Sequence, residues 1–75
     1  MPDDVKEPAK YNPAIAHVLR FFDYGHLPPT LQVVSADFHE LAQVLAERKP
    51  DSPETTVALR KLLEAKDAAV RAVLP

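Results

Sequence analysis

The chain of 75 residues has no cysteine, no tryptophan and a single glycine. Without cysteine there is no disulfide framework, no thiolate metal site and no thiol nucleophile, and nothing points to an oxidising compartment. One glycine, Gly25, cannot make a glycine-rich phosphate loop. No apolar run approaches the ~20 residues that cross a bilayer. Residues 1–7 have neither the basic start nor the apolar stretch of an export signal, so a cytoplasmic protein is expected. A net charge of −2 argues against a nucleic acid polymer as partner, and a membrane partner is not expected either. A large core is also lacking. Chains this short lean on a disulfide, a metal or a second chain. The first two have no support in the sequence, which leaves self-association.

Proline is what the chain has in excess, with eight copies at positions 2, 8, 13, 28, 29, 50, 53 and 75. Proline is excluded from helix interiors but suits a first turn or the residues beyond a helix end. Three long proline-free segments therefore predict an all-α fold with helices over about 13–24, 30–49 and 53–73. Residues 1–10 are charged and without periodicity, and read as a disordered tail ahead of a single domain over 11–75. Asn12 and Ser52 are expected N-caps, each followed by a proline at the first helical position. Thr30 is the expected cap of the second helix, and Gly25 the residue that ends the first.

The first helix carries Ile15, Val18, Leu19 and Phe22 as a core stripe, with His17, Phe21 and Tyr24 behind it. On the second helix Val34, Phe38, Leu41 and Leu45 form the expected inner face, flanked by Leu31, Val33, Ala42 and Val44. Gln32, Ser35, His39 and Gln43 are expected to look outward. The short connection over 49–54 predicts an antiparallel hairpin. Positions summing to about 103 should then face each other, which puts Leu45 opposite Ala58, Leu41 opposite Leu62, Phe38 opposite Ala65 and Asp37 opposite Lys66.

The third helix is lopsided. Glu64, Asp67, Arg60 and Arg71 share one narrow polar arc, and most of the remainder is apolar, about twice the ~100° stripe that a surface helix needs. Exposed surface of that kind marks an interface. The expectation is a homo-oligomeric bundle whose interface includes Leu59, Leu63, Val70 and Val73. Lys66 sits within the apolar arc, placed either to pair with Asp37 or to meet an anionic ligand. Lys61 lies at the arc's margin beside Arg60.

Catalytic chemistry has little to stand on. His17, His26 and His39 form no metal-type pair. Ser35 and Ser52 lack a nucleophile-elbow context. A binding or interaction module without metal or cofactor is expected, not an enzyme. The candidate ligand residues are Tyr24 for stacking, His26 as a donor, Thr30 with the N–H groups of the second helix start, and the cations Arg60, Lys61 and Lys66. Aromatic faces beside a helix N-terminus suit a nucleotide.

The stretch Ser52-Pro53-Glu54, then Ala58-Leu59-Arg60-Lys61-Leu62-Leu63-Glu64-Ala65, then Ala68-Ala69-Val70 resembles the helical hairpin of phage anti-CBASS cyclic-oligonucleotide sponges, a hairpin also embedded in anti-Thoeris sponges. The resemblance spans roughly residues 50–71, with Ser52, Glu54, Lys61, Leu62, Glu64 and Ala65 in agreement. Pro53 stands where that family has arginine, Arg60 where it has threonine, Leu63 where it has glutamate and Ala68 where it has an aromatic. The resemblance implies a small helical protein assembled as a hexamer. It would hold cyclic di- or trinucleotides between subunits, uncleaved, and so withdraw an immune signal inside an infected bacterium. The alternative is a homo-oligomeric protein-interaction module with no small-molecule ligand.

Overall fold

The structure, a computed structural model, describes residues 11–74; the tail expected over 1–10 lies outside the described residues. Those residues are all-α, with helices α1 (Pro13–Leu19), α2 (Pro29–Arg48) and α3 (Pro53–Val73), and a 3-10 turn over Arg20–Phe22 that continues α1.

Two of the three helix starts follow local rules. Asn12 is extended, and its side-chain oxygen accepts from the Ile15 N–H at 2.8 Å. Ser52 is likewise extended and accepts from the Glu54 N–H at 3.1 Å. Each satisfies one donor that the first turn leaves without an intrahelical partner. The start of α2 differs from expectation. Pro28, not Thr30, is the cap residue, and no side chain caps this end. Thr30 is an exposed residue inside the first turn. The Pro28 carbonyl takes both the Leu31 and the Gln32 N–H at 3.0 Å. The Pro28-Pro29 pair moves the start one residue earlier because Pro29 has the preset φ of a first helical position.

The end of the first helix is also shorter than 13–24. After Leu19 the helix tightens into the 3-10 turn, and Asp23 is already extended. Gly25 does not adopt positive φ, so it is no left-handed cap. Three side chains from the long helices do the capping instead. Lys66 donates to the Phe21 carbonyl at 2.6 Å, and His39 Nδ1 lies 3.2 Å from the Phe22 carbonyl. Gln32 donates to the Leu27 carbonyl at 2.7 Å and to that of Gly25 at 3.3 Å. The helix-end carbonyls of Phe21 and Phe22 and the loop carbonyls of Gly25 and Leu27 are thereby paired.

α2 and α3, joined through residues 49–52, pack against each other, and α1 with its 3-10 turn lies across both. Ile15, Val18, Leu19 and Phe22 meet Ala42 and Ala46 of α2 and Leu59 of α3 in the buried core, with Tyr11, Phe38, Leu45, Leu62 and Leu63 packed around it. Thr55 ties the connection to α3 by donating from its hydroxyl to the Lys49 carbonyl at 2.8 Å. The Asn12 N–H reaches the Pro50 carbonyl at 3.0 Å and fixes the start of α1 to the same connection.

The rotation of α2 corrects the expected inner face. Ser35 is fully buried and His39 half-buried, whereas Leu41, Val44 and Val33 are exposed, Val33 by 72%. The expectation allowed for one neighbour, α3. α2 serves two, so its buried side turns towards α1. That side is made of Ser35, Ala42 and Ala46, small residues that let the first helix approach closely. Leu45 and Ala58, expected to face each other, line one shared hollow, whereas Leu41 is exposed and does not pack into the core.

Candidate functional site

Leu59 is no interface residue. It is fully buried in the core, beneath α1, and Leu63 packs against that core. The first helix therefore covers more of the apolar arc of α3 than expected, because its core stripe continues through the 3-10 turn to Phe22. Val70 is half-buried and Val73 is 49% exposed.

Lys66 is half-buried and does not point at Asp37. Its amine is drawn to the Phe21 carbonyl and lies 5.9 Å from the centre of the Phe22 ring, a cation–π distance. A cation at the C-terminal end of the first helix also complements the partial negative charge there. Asp37 sits on the exposed side of α2 near Glu40, Leu41 and Val44.

Tyr24 is half-buried and packs edge-on against His39, ring centres 5.2 Å apart. Phe21 makes the same kind of contact with His17 at 5.5 Å. His26 and Thr30 are exposed in the same turn region. The donors expected at the start of α2 are largely used or missing, since Pro29 has no N–H and those of Leu31 and Gln32 go to Pro28. An anion site made by backbone N–H groups alone is therefore weak here.

The structure brings Lys66 to the turn region but not Arg60 or Lys61. Both are exposed on α3; Lys61 lies on the side opposite the buried Thr56 and Leu59, and Arg60 is about three turns before Arg71 along the helix. Lys66 instead shares a small open cleft of about 240 Å³ with Leu27, Asp67, Val70 and Arg71. Arg71 is the residue that sequence reasoning passed over, because it was assigned to the solvated arc. Helical spacing pairs 66 with 70 and 67 with 71, while Lys66 and Arg71 lie about 140° apart around α3, so only the cleft brings the two cations together. A larger hollow, about 570 Å³, lies at the opposite end, where Tyr11, Asn12 and Pro13 meet Arg48, Lys49, Pro50 and Asp51. It is an open crease between the start of α1 and the connection, and none of the expected ligand residues lines it.

Among the described residues no group of three His, Asp or Glu side chains is placed to hold a metal ion. None of the described helices is long and apolar enough to cross a membrane. Comparison with family models, with curated proteins and with solved structures finds no match.

Proposed function

We propose that the chain is a non-enzymatic, homo-oligomeric binding protein that sequesters a cyclic di- or trinucleotide, or a related nucleotide signal, and so blunts a bacterial antiphage defence. In this reading α2 and α3 are an antiparallel hairpin and the ligand is enclosed between subunits. The supporting observation is the cleft at Leu27, Lys66, Asp67, Val70 and Arg71. It combines two cations and one carboxylate, Asp67, with apolar walls beside the Tyr24-to-Thr30 turn, which leaves a net positive charge for a phosphate and apolar surface for a base. At about 240 Å³ it is smaller than the ~300 Å³ lower bound of small-molecule pockets. A second chain closing over it would supply the missing walls. Arg71, with the amine protons of Lys66 that Phe21 leaves over, would neutralise phosphate. Tyr24 and His26 would line the base edge.

Isothermal titration against a panel of cyclic di- and trinucleotides tests the reading. Saturable heat with one of them, lost in Arg71→Ala, is the expected result. No heat with any of them rejects it.

A second reading, a protein-interaction module without a small-molecule ligand, has its own support. His39, Gln32 and Lys66 all spend hydrogen bonds on holding the 20–28 segment, which is what a purely structural turn would show. Under this reading Tyr24→Ala and Arg71→Ala leave function intact, whereas Leu41→Asp abolishes it.

A further inference from the structure

We infer that the side of the α2–α3 pair facing away from α1 is a self-complementary docking surface for a second copy of the chain. This rests on the proposed antiparallel hairpin and names the surface by which it assembles. Advancing 100° per residue, Val33, Asp37 and Val44 of α2 fall within about 40° of one another, and Leu41 borders them. Their stripe lies roughly 180° from the buried side of Ser35, Ala42 and Ala46. On α3, Lys61, Ala65, Ala68 and Ala72 fall within about 60° of one another, roughly 180° from the buried side of Thr56, Leu59 and Leu63. Every residue of both stripes is exposed. The large apolar members are 40–72% exposed: Val44 40%, Leu41 46% and Val33 72%. This surface is therefore opposite the one that the buried positions of α3 suggested.

Charge selects the occupant. Each stripe carries charges of both signs, Asp37 and Arg48 on α2 with Glu40 at its edge, and Lys61 and Glu54 on α3, so each stripe holds partners for the other. A twofold axis lying in the surface and parallel to the helices places α2 of one copy on α3 of the other. In an antiparallel hairpin whose connection is centred between Pro50 and Asp51, Lys61 is level with position 40. It is then offset from Asp37 by three residues, about 4.5 Å along the axis. That offset is within the reach of a lysine side chain. The two charges then meet twice, once on each side of the axis. Val33 of one copy is then level with Ala68 of the other, and Val44 with Val57, which is 40% exposed. A surface that offers its own complement in sign fits a second copy better than an unrelated protein. It also gives Lys61 a role other than ligand binding.

Light scattering and sedimentation of the full chain test this with Asp37→Lys, Lys61→Asp and the double exchange. The unaltered chain should have at least twice the 8.3 kDa mass of one copy. Each single reversal sets like charges against each other twice and should weaken association about tenfold or more. The double exchange should restore it. All three should keep the helical circular dichroism spectrum, since both positions are exposed; a variant that unfolds overturns their placement on a free surface. An unaltered chain of 8.3 kDa, single reversals without effect on association, or a double exchange no better than the singles also overturns the proposal. Nucleotide titration of the same samples separates the two ideas. Assembly without nucleotide heat removes the sponge and leaves the docking surface, whereas nucleotide heat from an assembly that the charge reversals do not weaken does the reverse.

Discussion

The Lys66 amine donates to the Phe21 carbonyl at 2.6 Å, a bond between residues 45 positions apart that fastens the end of the first helix to α3. The same amine lies 5.9 Å from the centre of the Phe22 ring. A lysine within an apolar helical arc is thus accounted for by a backbone carbonyl and the face of a core ring, and its aliphatic stem covers apolar surface on the way. Lys66→Met keeps most of that stem and removes the bond. It should cost about 1 kcal/mol of stability, the net worth of one such hydrogen bond. Lys66→Ala should cost more. Urea unfolding followed by circular dichroism gives both numbers, and equal losses for the two would deny the stem any packing role.

Ser35 and Thr56 are buried, and their hydroxyl oxygens have no hydrogen-bond partner. A hydroxyl held away from water without a partner is unfavourable. Ser35→Ala should therefore raise stability by up to about 1 kcal/mol, helped by the better helix propensity of alanine. Thr56→Val, of nearly equal volume, should act in the same direction. A fall in the urea midpoint for both would show that the hydroxyls are satisfied in solution.

Leu59 separates a core residue from an interface residue. Truncation to alanine should cost roughly 2–5 kcal/mol, the usual loss for a fully buried leucine. That loss is a large part of the 5–15 kcal/mol that typically holds a domain together. Leu59→Asp should lose the helical spectrum altogether, at any protein concentration. A folded, monomeric Leu59→Asp would return this residue to the subunit boundary.

Asn12 has two tasks, accepting from the Ile15 N–H and donating its own N–H to the Pro50 carbonyl. Asn12→Ala removes only the first and should cost about 1 kcal/mol. Asn12→Asp keeps an acceptor oxygen and should cost little. Thermal melting of the three proteins distinguishes a cap from a residue that merely fills space.

The helix starts at Pro13 and Pro53 were readable from the sequence because a cap is a local device. An Asn-Pro or Ser-Pro pair sets one donor and one φ angle without reference to the rest of the chain. The core stripe of the first helix was readable for a related reason: a short helix on the outside has one side to bury, and its periodicity names that side. α2 was not readable in this way. Its large residues suggested a face centred on Val34, Phe38 and Leu41, and only packing against two neighbours turns Ser35, Ala42 and Ala46 inward. Small residues leave a faint mark in a hydrophobic pattern, although they decide how closely helices approach.

The candidate site divides along the same line. The types of residue it needs, an aromatic turn followed by cations on the last helix, are written in the sequence. Their grouping is tertiary: Lys66 and Arg71 come to Leu27, while Lys61 is turned away to the side opposite α1. By itself the sequence determined the all-α composition, the proline boundaries and the two capped starts, because each follows from backbone geometry within a few residues. Only the tertiary structure decided which side of α2 is inside, that Leu59 belongs to the core, and which apolar surface is left bare. Those outcomes depend on where the first helix lies across the other two, and that position is set by side chains far apart in the chain.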